Sequence, residues 1–206
     1  SSDVENEYFS DGITEEIINA LTKVDGLHVI ARSSAFVFKG RDIDLRDIGI
    51  QLNVTYILEG SVRKAGNKVR VTAQLINTSS GFHVFSEVYD RELQDIFQVQ
   101  EDISNKIVQK FTDNIGIQKT RKKLVTSSTE DIEAYELYLK GRFNLSIGSL
   151  EGTRTAIQYF ETALKKDEKF VLPIAGLAAC YTFLGGSGLM NVKQAFGKAK
   201  EYAQQA

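Results

Sequence analysis

The chain reads as an α+β domain followed by an all-α region, and three observations predict this. Residues 54–89 alternate apolar and polar side chains in three short runs separated by Gly- or Asn-containing turns, the period of half-buried strands. Helical spacing governs the apolar residues on both sides of those runs, over 4–24 and 93–115. Beyond residue 131 every stretch has helical period. The predicted boundaries are a first domain over 1–118, a polar and basic linker over 119–130, and a helical region over 131–206.

The first helix carries Phe9, Ile13, Ile17, Leu21 and Val24 on one stripe, and its opening turns are acidic, which suits the helix dipole. Asp25-Gly26 ends it. Leu27-His-Val-Ile-Ala31 is nearly all apolar and reads as a strand buried on both faces, which implies a mixed sheet with a parallel neighbour. That neighbour would be a strand ahead of the first helix, so the domain is expected to lack its first strand. Two short helices follow, over Ser33–Phe38 and Asp44–Leu52. The meander comes next: Val54–Arg63, a hairpin loop at Ala65-Gly66-Asn67, Lys68–Ile76, a turn at Thr78–Gly81, and Phe82–Tyr89. A long amphipathic helix over Leu93–Ile115 presents Leu93, Ile96, Phe97, Ile103, Ile107, Phe111 and Ile115 as its core stripe.

Composition excludes several classes. Average usage predicts about ten prolines in 206 residues, and there is one, Pro173, placed where a helix begins. One Cys and two His cannot build a disulfide framework or a four-ligand zinc site. A net charge of −2 gives no general field for nucleic acid. No apolar run is long enough for a membrane span. No metal, cofactor or nucleic-acid contact is therefore expected.

Catalytic motifs fail one by one. Cys180 reads as a small core residue of a helix, and His28 and His83 as strand residues. Gly60–Lys68 has a passing likeness to a phosphate loop, but its spacing is wrong and it reads as a hairpin. Glu15 and Glu16 are adjacent on a helix, about 100° apart, and do not converge. Arg32-Ser33-Ser34 follows an apolar run and opens a short helix, so it is a candidate anion site, with helix capping by either serine as the plainer reading.

In the helical region Ala156, Phe160 and Ala163 stand four and three apart, and Ala199, Ala203 and Ala206 repeat the spacing. Leu177, Ala178 and Tyr181 precede the second set, and Gly141 occupies a small-residue position of the first. This pattern resembles the tetratricopeptide repeat, in which small residues let paired helices approach and a large one fills the gap. One repeat runs from Ala134 to about Phe170, with Ser149–Gly152 extending its inner turn. A second runs from about Val171 onward, with an insertion around Gly185–Gly188, and the array is expected to continue past it. Glu168 departs from the pattern, where a proline usually closes a repeat. A nonrepetitive helical bundle is the alternative.

Residues 7–100 carry a second resemblance. Glu7–Ile17, Val29–Ser34, Tyr56–Arg63, Val69–Ile76 and Phe85–Arg91 running into Asp95-Ile-Phe97 are similar to the TolB-like (FlgO-like) module of bacterial signalling proteins. The resemblance implies an upstream output domain, such as a nucleotide cyclase, a winged-helix regulator or a kinase, and tetratricopeptide repeats downstream. It places the parent in the bacterial cytoplasm or on the periplasmic side of a membrane, and it supplies no catalytic residue. The expected function is a non-catalytic sensor or scaffold that binds a protein or peptide in the repeat groove, with Tyr138, Arg142, Asn144 and Arg154 as exposed contact residues. Self-association is a further expectation. The alternative is a small-anion or nucleotide receptor centred on Arg32, Ser33 and Ser34 that regulates a linked output domain. Cyclase activity in the chain itself is the third possibility, and no paired aspartates in a strand-loop setting support it.

Overall fold

The computed structural model describes residues 4–115 and 129–206. Most of the expected linker, residues 119–128, lies outside the described residues, as do residues 116–118 of the first domain. The described residues fall into two compact units, one of 4–6 and 13–115, the other of 7–12 and 129–206. The protein is α+β, with eight α-helices and one three-stranded sheet among the described residues.

Helix α1 (Val4–Leu21), whose residues 7–12 are counted with the second unit, is followed in the first unit by α2 (Arg32–Phe36) and α3 (Leu45–Leu52). Strands β1 (Tyr56–Ala65), β2 (Lys68–Asn77) and β3 (His83–Glu92) then form an antiparallel meander in the order β1-β2-β3. A short 3-10 turn, Leu93–Asp95, leads into α4 (Ile96–Ile115). Asp44 caps α3 by accepting from the Arg46 amide at 2.8 Å. Ala65 pairs directly with Lys68, so the first hairpin turns on two residues, and Gly66 takes φ +58°, as a primed turn demands of its first central residue.

The alternation of the strands is a real division of faces. Val62, Val69, Val71, Ala73, Leu75 and Phe85 point inward and are buried. Helix α4 lies on that side, with the Tyr56 and Phe111 rings edge-on at 4.9 Å and Lys106 reaching Glu87 at 3.2 Å. Its buried stripe is Ile96, Val99, Ile103, Ile107 and Phe111. The outward side is polar: Arg70 pairs across the strands with Asp90, and Gln74 with Ser86. Between Leu75 and Ile76 the register shifts, so β3 carries one extra residue there.

The mixed sheet is not observed. Leu27–Ala31 forms no ladder among the described residues, and its residues are half-buried or exposed. An apolar run becomes a strand only with a hydrogen-bonding neighbour. Here β1 and β3 each pair with β2 and not with this segment.

The second unit consists chiefly of α5 (Ile132–Ser146), α6 (Leu150–Lys166), α7 (Val171–Gly186) and α8 (Val192–Gln205). Asp131, Ser149 and Asn191 cap α5, α6 and α8 with their side chains. Helix α7 has no side-chain cap, but Pro173 lies in its first turn, where a missing N–H is harmless. Ser149–Gly152 is therefore the cap and first turn of α6, not an extension of the loop.

Phe160 of α6 is fully buried, and two glycines make room for it. A Cβ on Gly141 of α5 would stand 2.7 Å from Cδ1 of the ring, and one on Gly176 of α7 would stand 2.6 Å from Cζ. The ring is thus held between three helices at distances that only glycine permits. On the other side of α7, the close contact with α8 uses Ala195 and Ala199, both buried. Ala195 Cβ stands 2.9 Å from where a Cβ of Gly185 would be. Ala203 and Ala206 are exposed, so the small residues that matter sit earlier on α8 than the expected Ala199-Ala203-Ala206 set. Gly185 is helical, and the break between α7 and α8 falls after Gly186.

Alanine is normally the better helix residue by about 1 kcal/mol. At Gly186, where a Cβ meets nothing, Gly186→Ala should stabilise by up to that amount. At Gly176 the new Cβ strikes a ring that Gly141 already confines, so Gly176→Ala should destabilise by about 1–3 kcal/mol. Urea unfolding of the two variants checks this, and shifts of the same sign would refute the packing.

Candidate functional site

The residues expected to meet a partner do not form one surface. Tyr138 is buried at 2% exposure, which corrects its placement as an exposed contact. Its ring lies 5.4 Å from Phe170 and 6.0 Å from Phe160. The reason is the three-helix packing: a large side chain on the inner stripe of α5 turns toward the ring of α6. Its hydroxyl accepts from Arg142 Nη1 at 3.0 Å, and the Arg142 guanidinium lies over its ring. Arg142 is half-buried, so Tyr138 acts through it, fixing the position of a cation at the surface.

Asn144 is half-buried and its amide donates to the Lys140 carbonyl at 2.8 Å. Arg142 and Asn144 are two positions apart on α5, about 200° around the helix, and face different directions. Arg154 is exposed on α6.

In the first unit, Arg32 sits with Nε 3.6 Å from a Glu15 carboxylate oxygen, and its guanidinium carbon is 4.0 Å from the centre of the Phe36 ring. The carboxylate meets the charge that an anion would use. Ser33 and Ser34 are exposed, and neither caps α2: Ala31 holds the cap position and offers no side-chain bond. The helix has five residues, so it supplies little dipole. His28 is exposed in the segment that forms no ladder, and His83 is exposed at the start of β3. Gly60–Lys68 is the β1–β2 hairpin, as its pattern predicts. No group of three or more His, Cys, Asp or Glu among the described residues could hold a metal ion. No described helix is long and apolar enough to cross a membrane.

Two surfaces are absent from the sequence-based expectations. An open groove is lined by Arg46, Gly49, Ile50, Asn53, Thr55 and Thr78. Its floor is fixed by Thr78, whose hydroxyl donates to the Val54 carbonyl at 2.8 Å, and by Asn53 in the left-handed region at φ +52°. The bidentate Arg46–Asp44 pair at its rim holds the Asp44 carboxyl below its usual range. The second surface is apolar: Leu189 before α8, and Val192 and Phe196 on it, are each about half exposed. The i, i+4 spacing of Val192 and Phe196 is its one signal in the sequence.

No family model matches the chain. It is 38% identical over 209 residues to "Putative adenylate cyclase 3" of Rhizobium meliloti (strain 1021), an alignment that covers 98% of this chain and 35% of that protein. It is 22% identical over 165 residues to "Transcriptional regulator HilA" of Salmonella typhimurium, covering 79% of this chain and 29% of that protein. The chain spans about a third of the length of the curated relatives it matches.

Cys180 is fully buried in α7, and burial pushes its thiol up to about 12. It should resist a thiol reagent at pH 8 until the helical unit unfolds. Because the folded value is the raised one, the native state keeps a proton that the unfolded state gives up. This contribution to stability is present below the ordinary thiol value and is lost as pH rises toward 12. Cys180→Ala should flatten the alkaline loss of stability, measured by urea midpoints between pH 8 and 11. An unchanged slope would count against the burial effect.

Proposed function

We propose that the chain is a non-catalytic protein-interaction module of a bacterial signalling or transcription-regulatory protein. The packing of Phe160 between Gly141 and Gly176 carries this reading. It is what a tetratricopeptide array needs to stack one helical hairpin on the next, and stacked hairpins present an extended surface to protein partners. Two relatives named for cyclase and transcription-regulator activity support the setting. Residues 7–100 would be the TolB-like module, a rigid platform built on the antiparallel sheet.

In this reading Arg142 is the principal contact, because the hydrogen bond and ring contact to buried Tyr138 hold its guanidinium in place at low entropic cost. Asn144 and Arg154 contribute on neighbouring faces. Cyclase chemistry, if the whole protein has it, belongs to segments outside this chain.

Two measurements test the proposal. The chain incubated with ATP and Mg²⁺ should yield no cyclic AMP, and measurable turnover would contradict it. A photo-crosslinker at the exposed position 154, with Arg142 intact, should give a discrete protein adduct in the cell, reduced about tenfold when Tyr138→Phe removes the hydroxyl that holds Arg142. Adducts at position 154 that are absent, or indifferent to Tyr138→Phe, would remove the helical unit as the binding element.

A further inference from the structure

The first hairpin fixes which way each backbone group of the sheet points. Ala65 and Lys68 close its two-residue turn as a hydrogen-bonded pair, so the even-numbered residues of β2 bond to β1 and the odd-numbered ones to β3. On β3 the odd-numbered residues therefore bond to β2, and Leu93, next in that series, donates to the Asn67 carbonyl at 2.8 Å. Ser86, Val88 and Asp90 turn their N–H and C=O groups to the other side, where no described strand pairs with them. The Arg91 side chain donates to the Asp90 carbonyl at 2.9 Å, which agrees with that direction. The opposite edge of the sheet is engaged at Lys64, whose amide donates to Asn6 Oδ1 at 2.9 Å.

The β3 edge also carries an exposed apolar side chain. Val88 is 59% exposed, between Ser86 and Asp90 on the polar side of the sheet. Antiparallel pairing of this edge with itself allows few registers, because Ser86, Val88 and Asp90 must meet residues of the same even-numbered series. Setting Ser86 opposite Val88 puts Glu87 against Glu87, and setting Asp90 opposite Asp90 opposes two carboxylates. Setting Val88 opposite Asp90 leaves the valine beside a charge. With Val88 opposite Val88, the two apolar side chains cover each other and each Ser86 hydroxyl meets an Asp90 carboxylate. Glu87 then faces Tyr89, and Phe85 faces Arg91. No like charges stand directly opposite in this register, and Lys106 at 3.2 Å balances Glu87 within its own chain.

We propose that the Phe85–Glu92 stretch of β3 pairs antiparallel with the same stretch of a second copy of the chain, centred on Val88, so that two three-stranded sheets join into one of six strands. The register shift between Leu75 and Ile76 ends the usable edge ahead of Phe85. Within it, about six backbone hydrogen bonds form across the two-fold axis. Arg91 gives up the Asp90 carbonyl, which accepts the Ser86 amide of the second copy instead. The pairing uses the same patch twice, so it closes as a dimer and does not propagate. One strand pair is a small interface, and the dimer is therefore weak and concentration-dependent. The edge belongs to the first unit and uses none of Arg142, Asn144 and Arg154, so it stands or falls separately from their role.

Sedimentation equilibrium of the whole chain, from about 10 µM to about 1 mM, should show a reversible monomer–dimer equilibrium. Val88→Lys sets two ammonium groups opposite each other and should weaken the dimer about tenfold or more. Ser61→Lys, an exposed position on β1, should leave it unchanged. Both sites are exposed, and circular dichroism melts confirm that the variants remain folded. Hydrogen exchange reads the register: on dilution the amides of Ser86, Val88 and Asp90 should lose protection together, while those of Glu87 and Tyr89 keep theirs. A monomer across that range, or a dimer indifferent to Val88→Lys, overturns the proposal. So does protection of the Ser86, Val88 and Asp90 amides at every dilution, because the same chain would then cover the edge. Protection gained only on adding a cell extract overturns it as well, because that would assign the edge to a different protein.

Discussion

The helical unit depends on one ring. Phe160 is confined by Gly141 on one side and Gly176 on the other, and neither position has space for a methyl group. The contact does more than bury an aromatic side chain. It fixes the distance of α5 and α7 from α6 together, so Tyr138 and Phe170 can complete an aromatic cluster around it. The position of Arg142 follows in turn, because Tyr138 is its hydrogen-bond acceptor and its ring partner. A surface cation is thereby set by a core packing constraint three helices wide.

The first unit is organised differently. Its sheet has one apolar face, which α4 occupies, and one polar face held by cross-strand pairs such as Arg70–Asp90. That pair is exposed and screened, and its value lies in register more than in stability. Groups of the kind used for catalysis are already engaged in structure here: Arg32 faces Glu15, and Lys106 faces Glu87.

Much of the fold was legible because its periods are unambiguous. The strands over 54–89 alternate over most of their length, broken by the apolar pairs Ile57–Leu58 and Leu75–Ile76, so most of their faces are assignable from sequence, and the α4 stripe is visible from Leu93 to Phe111. Asp44 at the start of α3 is a residue type that caps helices for a known reason. Other features depend on partners distant in sequence. Leu27–Ala31 has the composition of a buried strand, but pairing decides whether it becomes one. The burial of Tyr138 is not visible in the local sequence because it depends on Phe160 and Phe170, 22 and 32 positions away. The small residues of α8 fit two registers, and Gly185 selects the one that uses Ala195 and Ala199. Gly176 was silent, since a glycine becomes a notch only when a ring is placed against it. The candidate site is less legible than the fold: the sequence points to Arg142 but not to Tyr138 as what holds it, and the half-exposed ring at Phe196 has no signature beyond a spacing.

The central claim is that one ring couples three helices, and native-state hydrogen exchange on the Phe160→Ala variant tests it most directly. The account predicts that amide protection in α5, α6 and α7 falls together and by a similar factor, because all three lose the same constraint. Loss of protection confined to α6, with α5 and α7 unchanged, would contradict it.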